Sequence, residues 1–216
     1  MNLEQARFNM IEQQIRPWDI VDSKVLDLLF IVKREAFVPV AYQDLAFADT
    51  ELPLGHDAVM LAPKIEAHAL QALAMKPHEK VLEVGTGSGY MAALLGAHAD
   101  HVWSLEIVPE LAAVARENLR LYGVSNVTVE TGDGLQGMPA QAPFDVIMIS
   151  GAVSVVPPEL LAQLKVGGRL FAIVGEAPAM QAQLITRVND SSYSTVTQFE
   201  SSTELLKAPP AQKFVF

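Results

Sequence analysis

The residues with the clearest chemical potential are acids and glycines that follow predicted strands. Glu83 opens a run in which glycines alternate with small polar residues: Gly85, Thr86, Gly87, Ser88 and Gly89. Glycine adopts positive φ without strain and lets a ligand approach the backbone where a Cβ would collide. Amides that open a helix after such a turn point toward polar groups of a ligand. The run predicts either a binding turn or a plain tight strand-to-helix turn.

The spacing in this run disfavours two common phosphate-binding turns. A dinucleotide fingerprint starting at Gly85 would require a small third residue at position 90, where the chain has Tyr90. A P-loop would require a Gly-Lys-Ser/Thr sequence, which does not follow here. A pyrophosphate is therefore not the expected ligand.

Two further acids stand where the next predicted strands end. Glu106 lies 106 − 85 = 21 residues after the first glycine of the turn, a spacing at which an acid can accept hydrogen bonds from both ribose hydroxyls. Asp133 lies between Gly132 and Gly134, where it could accept a hydrogen bond from an adenine amino group. Each acid alone also fits a solvated strand end or a turn. Together with the glycine turn, the acids predict a nucleoside-containing cofactor at one sheet edge.

The elements that must position these groups follow an alternating pattern after residue 77. Short apolar runs rich in β-branched residues alternate with helical periodicity. Strands are predicted at 80–84, 101–106, 127–130, 144–150 and 169–174, helices at 89–99, 109–122 and 157–164, and a hairpin at 184–188 and 194–199. We therefore expect an α/β fold: a doubly wound, Rossmann-like, mostly parallel sheet of about seven strands with helices on both faces.

The first third of the chain is predicted to be a helical extension of this core. Apolar periodicity indicates helices at 3–15, 25–32 and 64–75, with Asp22 as the N-cap of the second. Residues 40–63 show no sustained period and are expected to form an irregular connection. We expect one domain, 1–216, in which 1–76 supply helices and a substrate-side loop and 77–216 form the cofactor-binding core.

The glycine turn resembles the first motif of class I methyltransferases, which hold S-adenosylmethionine. More specifically, residues 5 to about 180 resemble protein-L-isoaspartate O-methyltransferases of bacterial type. The matching stretches are 34–39 (REAFVP), Tyr42 with Asp44, 52–55 (LPLG), 81–90 (VLEVGTGSGY), 132–134 (GDG), 142–145 (APFD) and 163–170 (QLKVGGRL).

The resemblance implies a cofactor, a reaction and a set of binding residues. S-adenosylmethionine would be the methyl donor, S-adenosylhomocysteine the product, and the α-carboxylate of isoaspartyl residues in damaged proteins the acceptor. The residues expected to bind the cofactor are Glu83, Gly85, Thr86, Gly87, Ser88, Gly89, Glu106, Asp133 and Gly134.

One loop departs from the family pattern. Where the family has Thr-Ile-Ser-Gln-Pro, with an active-site serine, this chain reads Val59-Met60-Leu61-Ala62-Pro63. Val59, Leu61, Ala62 and Pro63 are expected on the substrate side, with Leu61 at the serine position. The catalytic residue is therefore left unassigned, with His56, next to Asp57, as a candidate general base. A different small-molecule or carboxylate acceptor, or a non-catalytic cofactor-binding module, remains open.

Composition excludes several functional classes. The 216 residues contain no cysteine, which excludes disulfides, thiolate zinc sites and cysteine nucleophiles, and histidine spacing suggests no metal site. The net charge of −10 opposes nucleic-acid binding. With no signal peptide and no membrane-length apolar run, we expect a cytoplasmic monomer or weak dimer that does not associate with membranes. Trp18 and Trp103 are expected to be packing residues.

Overall fold

The computed structural model describes residues 2–208, which form a sheet flanked by helices. The strands of that range are β1 (Leu52–Gly55), β2 (Ala58–Met60), β3 (Lys80–Val84), β4 (His101–Glu106), β5 (Val127–Thr131), β6 (Phe144–Val153), β7 (Leu164–Glu176), β8 (Ala179–Arg187) and β9 (Tyr193–Ser201). Its α-helices are α1 (Leu3–Asn9), α2 (Ser23–Ile31), α3 (Pro63–Leu73), α4 (Tyr90–Gly96), α5 (Pro109–Tyr122) and α6 (Pro158–Ala162).

Seven strands form the main sheet in the order β5-β4-β3-β6-β7-β8-β9. Strands β3 to β7 pair in parallel, whereas β8 and β9 pair antiparallel at one edge. From β3 the chain builds outward through β4 and β5, then returns to place β6 on the other side of β3. Ligands of doubly wound sheets bind at such a reversal, beyond the carboxyl ends of the strands. The predicted fold class is confirmed.

Burial on both faces explains why β3 reads as a nearly continuous apolar run. Val81 belongs to the cluster that contacts the N-terminal helices, whereas Leu82 and Val84 belong to the cluster on the opposite face. A parallel strand covered on both sides needs apolar side chains in both directions. The exception is Glu83, which is completely buried within the same run.

The N-terminal extension follows its predicted helical pattern. Helix α1 continues through a π-helical stretch, Met10–Ile15, into a 3-10 turn that contains Pro17. Asp22 caps α2 as predicted, because its carboxylate accepts the Lys24 amide at 2.9 Å. None of the helices in residues 2–208 is long and apolar enough to cross a bilayer.

The prediction of an irregular connection at 40–63 is wrong. Residues Val40–Leu45 form a 3-10 helix, and β1 and β2 form an antiparallel hairpin. His56 and Asp57 make its turn, with φ angles of 54° and 50°. The strands have only four and three residues, too few for a period of two to be recognisable in the sequence.

Candidate functional site

A cleft opens at the carboxyl ends of the central strands, where the strand order reverses. It contains about 630 Å³ of empty space. Its walls come from the glycine turn, the ends of β4 and β6, the β1–β2 hairpin and the last described residues; the main contributors are Val59, Gly85, Gly87, Glu106, Gly134, Ser150, Gly151 and Leu206. The fold thus brings together residues separated by nearly 150 positions.

The glycine turn supplies a side-chain-free wall to this cleft. Gly85 and Gly87 both have positive φ, 91° and 53°. Gly134 packs closely against β3, since a Cβ there would lie 2.5 Å from Val84 Cγ1. All three glycines line the cleft, so this part of its wall is backbone, which fits the nucleoside cofactor predicted from the sequence.

Glu106 is anchored to the glycine turn by backbone amides. Its Oε2 accepts the Gly87 amide at 2.9 Å, and its Oε1 accepts the Val108 amide at 3.0 Å. The carboxylate is therefore fixed before any ligand arrives, and it borders the cleft as predicted.

Glu83 lies behind the turn and organises it from within. Its two carboxyl oxygens accept hydroxyl protons from Ser104 at 2.6 Å and Ser150 at 2.8 Å. Thr86 joins the network through a 2.6 Å hydrogen bond with Ser104. Complete burial raises the pKa of Glu83 to about 8, despite these hydrogen bonds. Ser104 and Ser150 were missed by sequence reasoning, because an isolated serine in a strand carries no signal.

Three other predicted binding residues have clear structural contacts. Asp133 caps the 3-10 turn Gly134–Gln136, accepting the Leu135 amide at 3.0 Å. Gly89 starts α4 with φ 85° and packs on α5, since its Cβ would lie 3.3 Å from the Ala115 carbonyl oxygen. Ser88 is buried and accepts the Tyr90 amide at 3.4 Å. Their roles toward a cofactor stay predictions.

The substrate-side loop faces the glycine turn. Val59, Met60 and Leu61 border a smaller cavity of about 250 Å³, together with residues 85–88 and Ser150. Leu61 and Ala62 are buried, and Pro63 begins α3. His56, the candidate base, is exposed at the hairpin turn and is not among the residues that line the cleft.

An ion pair beneath this loop holds its backbone. Arg34 is completely buried and donates to the Leu61 carbonyl at 2.7 Å, to the Ala46 carbonyl at 3.1 Å and to the Glu66 carboxylate. Burial raises the pKa of Glu66 to about 7, and the Arg34 charge opposes that rise. Arg34 thereby joins the segment before α3 to the N-terminal extension.

Residues 204–207, which we call the C-terminal strap, form one side of the cleft. The Ala152 amide donates to the Glu204 carbonyl at 3.0 Å, and the Leu206 amide donates to the Ala152 carbonyl at 2.8 Å. The Leu206 side chain packs on both Gly85 and Gly151, at whose positions a Cβ would lie 2.8 and 2.5 Å away. Lys207 Nζ lies 3.4 Å from Asp57 Oδ2 in the hairpin turn.

The cleft has few charged or hydroxyl side chains apart from its acids. Within residues 2–208, no three His, Cys, Asp or Glu side chains are grouped as a metal site requires. Its cationic group is Lys207, and its hydroxyl is that of Ser150. Sequence reasoning missed Lys207, which lies beyond the matched stretches.

Comparison with known proteins places these features in a family. Residues 5–203 match the sequence model of the protein-L-isoaspartate(D-aspartate) O-methyltransferase family. A protein-L-isoaspartate O-methyltransferase of Koribacter versatilis is 45% identical over 185 residues, covering 86% of this chain and 82% of that protein. Protein-L-isoaspartate O-methyltransferase 2 of Marinobacter nauticus is 42% identical over 193 residues, covering 89% and 88%.

The fold is shared with more distant relatives. A putative protein-L-isoaspartate O-methyltransferase from Plasmodium falciparum, solved with S-adenosyl-L-homocysteine, superposes with a TM-score of 0.80 at 22% identity. The superposition covers 96% of this chain and 99% of that one. At such low identity the match supports the fold, including the seven-stranded sheet.

Proposed function

The chain belongs to the protein-L-isoaspartate(D-aspartate) O-methyltransferase family, and from that membership we propose that it transfers a methyl group from S-adenosylmethionine to the carboxylate of an isoaspartyl residue in a polypeptide. The observation that carries this proposal is the cradle formed by Gly85, Gly87 and the amide-anchored Glu106. Its backbone surface and acid suit the amino-acid and ribose parts of the cofactor.

The residues present fit such a cofactor. Glu106 would accept the ribose hydroxyls, the turn at 85–87 would lie along the ribose and amino-acid part, and Asp133 would face the adenine end. Bound S-adenosylmethionine supplies an electrophilic methyl group on a sulfonium sulfur, and breaking the carbon–sulfur bond leaves S-adenosylhomocysteine.

The acceptor requires no general base, because a carboxylate is already ionised at neutral pH. The chain must instead position the carboxylate in line with the methyl group and exclude water, and such positioning can contribute roughly 7–11 kcal/mol. Val59 and Leu206 line the cleft and Leu61 lines the smaller cavity beside it, where these apolar side chains would exclude water.

Lys207 is the residue that we propose attracts the acceptor carboxylate. Its pair with Asp57 is exposed, since the Asp57 side chain is 97% accessible. Exposed pairs of this kind contribute little to stability. The ammonium can therefore exchange Asp57 for a substrate carboxylate at small cost, which compensates for the hydroxyl that Leu61 lacks.

Isoaspartyl methylation is the decisive measurement. With radiolabelled S-adenosylmethionine, we expect label to enter a peptide with one isoaspartyl residue, as a base-labile methyl ester. The same peptide with ordinary aspartate is the control and should stay unlabelled. If the protein binds the cofactor yet neither peptide gains label, the acceptor belongs to another chemical class.

Restoring the family loop should accelerate the reaction. In the variant Val59→Thr/Leu61→Ser/Ala62→Gln, a hydroxyl returns to the acceptor side, and a hydrogen bond to a charged group contributes about 1.5–3 kcal/mol. We expect kcat/KM for the isoaspartyl peptide to rise roughly 10-fold or more. Leu61 is buried, so thermal unfolding should show a lower Tm, as for other truncations of buried side chains.

The control for the loop variant is Leu61→Ala, which shortens the buried side chain as serine does without adding a hydroxyl. An equal rise in kcat/KM in both variants would show that space, rather than hydrogen bonding, limits the wild-type protein.

A further inference from the structure

A second cavity lies on the other side of the substrate-side loop. This groove contains about 780 Å³ of empty space between the N-terminal extension, α3 and the end of β9. It shares none of its lining residues with the cofactor cleft; its walls are Trp18, Asp49, Thr50, Glu51, Ala62, Lys64, Ile65, His68, Phe199, Glu200, Ser201 and Ser202. The proposed reaction assigns no role to it.

Two buried polar atoms of groove residues have no hydrogen-bond partner in the part of the chain that the structure describes. They are Asp49 Oδ1 and His68 Nε2. Burial lowers the pKa of His68, so its imidazole is neutral at neutral pH and Nε2 can accept a hydrogen bond in one tautomer. A carboxylate oxygen is an acceptor only. Buried acceptors without partners are costly, and a rotation of either side chain toward the groove would let an N–H donor of a ligand satisfy it.

The charged residues of the groove favour a cationic ligand. Asp49, Glu51 and Glu200 line it, against the single ammonium of Lys64. Burial raises the pKa of Glu51, with a smaller contribution from the nearby Glu204 carboxylate. A cation placed beside these carboxylates would be favoured.

Aromatic walls favour the same ligand. The Lys64 ammonium already lies 4.4 Å from the Trp18 ring centre while its Nζ contacts Asp49 Oδ2 at 2.8 Å. Trp18, predicted as a packing residue, is 51% exposed, and Phe199 lies against His68 at 4.5 Å between ring centres. The groove therefore already holds one ammonium between a carboxylate and an aromatic face.

The groove adjoins the acceptor end of the cleft. Leu61 lines the cavity beside the glycine turn, and the next residue, Ala62, lines the groove. Likewise Ser202 lines the groove while Glu204 lines the cleft, a separation of two residues or roughly 7 Å of extended chain. A polypeptide whose isoaspartate is at the cleft would thus bring a side chain one to three residues away to the groove.

From this arrangement we propose that the groove binds a lysine or arginine side chain of the acceptor polypeptide, close in sequence to the methylated residue. Asp49 and His68 rotate toward the groove to accept its N–H groups. Glu51 and Glu200 balance its charge, and Trp18 and Phe199 contact its aliphatic stem. The proposal rests on the proposed function for its substrate, but its binding chemistry depends only on the groove.

Two isoaspartyl peptides, identical except for lysine or norleucine two residues from the isoaspartate, test the effect on turnover. Norleucine keeps the stem and removes the charge. We expect KM about 5- to 10-fold lower for the lysine peptide with kcat unchanged. Asp49→Asn and Glu200→Gln should each reduce this preference, whereas Glu159→Gln, an exposed acid in α6, should leave it intact.

Measuring peptide binding through Trp18 fluorescence tests the groove independently of methyl transfer. The chain has two tryptophans, so Trp103→Phe leaves Trp18 as the only indole. We expect its fluorescence to change saturably with the lysine peptide, and much less in the Asp49→Asn background. A Trp18 response without methylation of either peptide would contradict the proposed function and support the groove. Methylation of both peptides with equal KM and no Trp18 response would overturn the groove proposal.

Discussion

We expect the Gly87→Val variant to bind S-adenosylmethionine at least roughly 100-fold more weakly than the wild-type protein. Gly87 has φ 53°, where a β-branched residue is strained by about 1–3 kcal/mol, and its Cβ would lie 3.0 Å from Leu54 Cδ1. A backbone shift that relieves either the strain or the contact with Leu54 would move the Gly87 amide, which holds the Glu106 carboxylate. Two such effects together reach the roughly 2.8 kcal/mol that 100-fold in affinity requires. Isothermal titration calorimetry measures the change directly.

Gly123→Val is the matched control for this variant. Gly123 has φ 82° at the end of α5, and a Cβ added there would have no atom within 4 Å. The control variant should therefore lose stability through the same kind of strain and retain its cofactor affinity within about twofold. Equal affinities for Gly87→Val and the wild type would show that the turn is not the cofactor cradle.

The largest loss of stability is expected from Arg34→Met. This substitution leaves the Glu66 carboxylate buried without its partner and frees two carbonyl oxygens, those of Ala46 and Leu61. Breaking a buried pair in this way costs about 3–5 kcal/mol. Urea unfolding at pH 7 should show that loss as a lower midpoint with an unchanged slope.

Two further variants test whether the buried charge of Glu66 causes this loss of stability. Arg120→Met removes an exposed ion pair with Glu117 and should leave the urea midpoint nearly unchanged. Arg34→Met/Glu66→Met removes both buried charges and should recover part of the stability. Both variants lack the carbonyl contacts of Arg34, so a double variant less stable than Arg34→Met alone would show that the unpaired Glu66 carboxylate is not the source of the loss.

The local sequence pattern was sufficient to predict the parallel strands of the core and the acid at the end of β4. Strands β3 and β4 were predicted with their observed ends, because both are short runs rich in apolar residues between turn residues. Once these strands are parallel neighbours, Glu106 must end beside the turn that follows β3. The observed amide contact from Gly87 confirms that positional reasoning.

Residues brought together by tertiary packing were not predictable in the same way. Arg34 and Glu66 lie 32 positions apart, and Lys207 and Asp57 lie 150 apart. Nothing in the sequence near either partner indicates the other. The β1–β2 hairpin was missed because its strands are short, and with it the geometry that places Asp57 opposite the strap.

The C-terminal strap also has a consequence for biosynthesis. Chains emerge from the ribosome amino terminus first, and domains begin to fold as they appear. The parallel strands are complete at Glu176, yet Leu206 emerges 206 − 176 = 30 residues later, after both strands of the antiparallel edge. The strap is therefore the last part of the cofactor cleft to be synthesised, and the cleft can be completed only after the antiparallel edge has emerged from the ribosome.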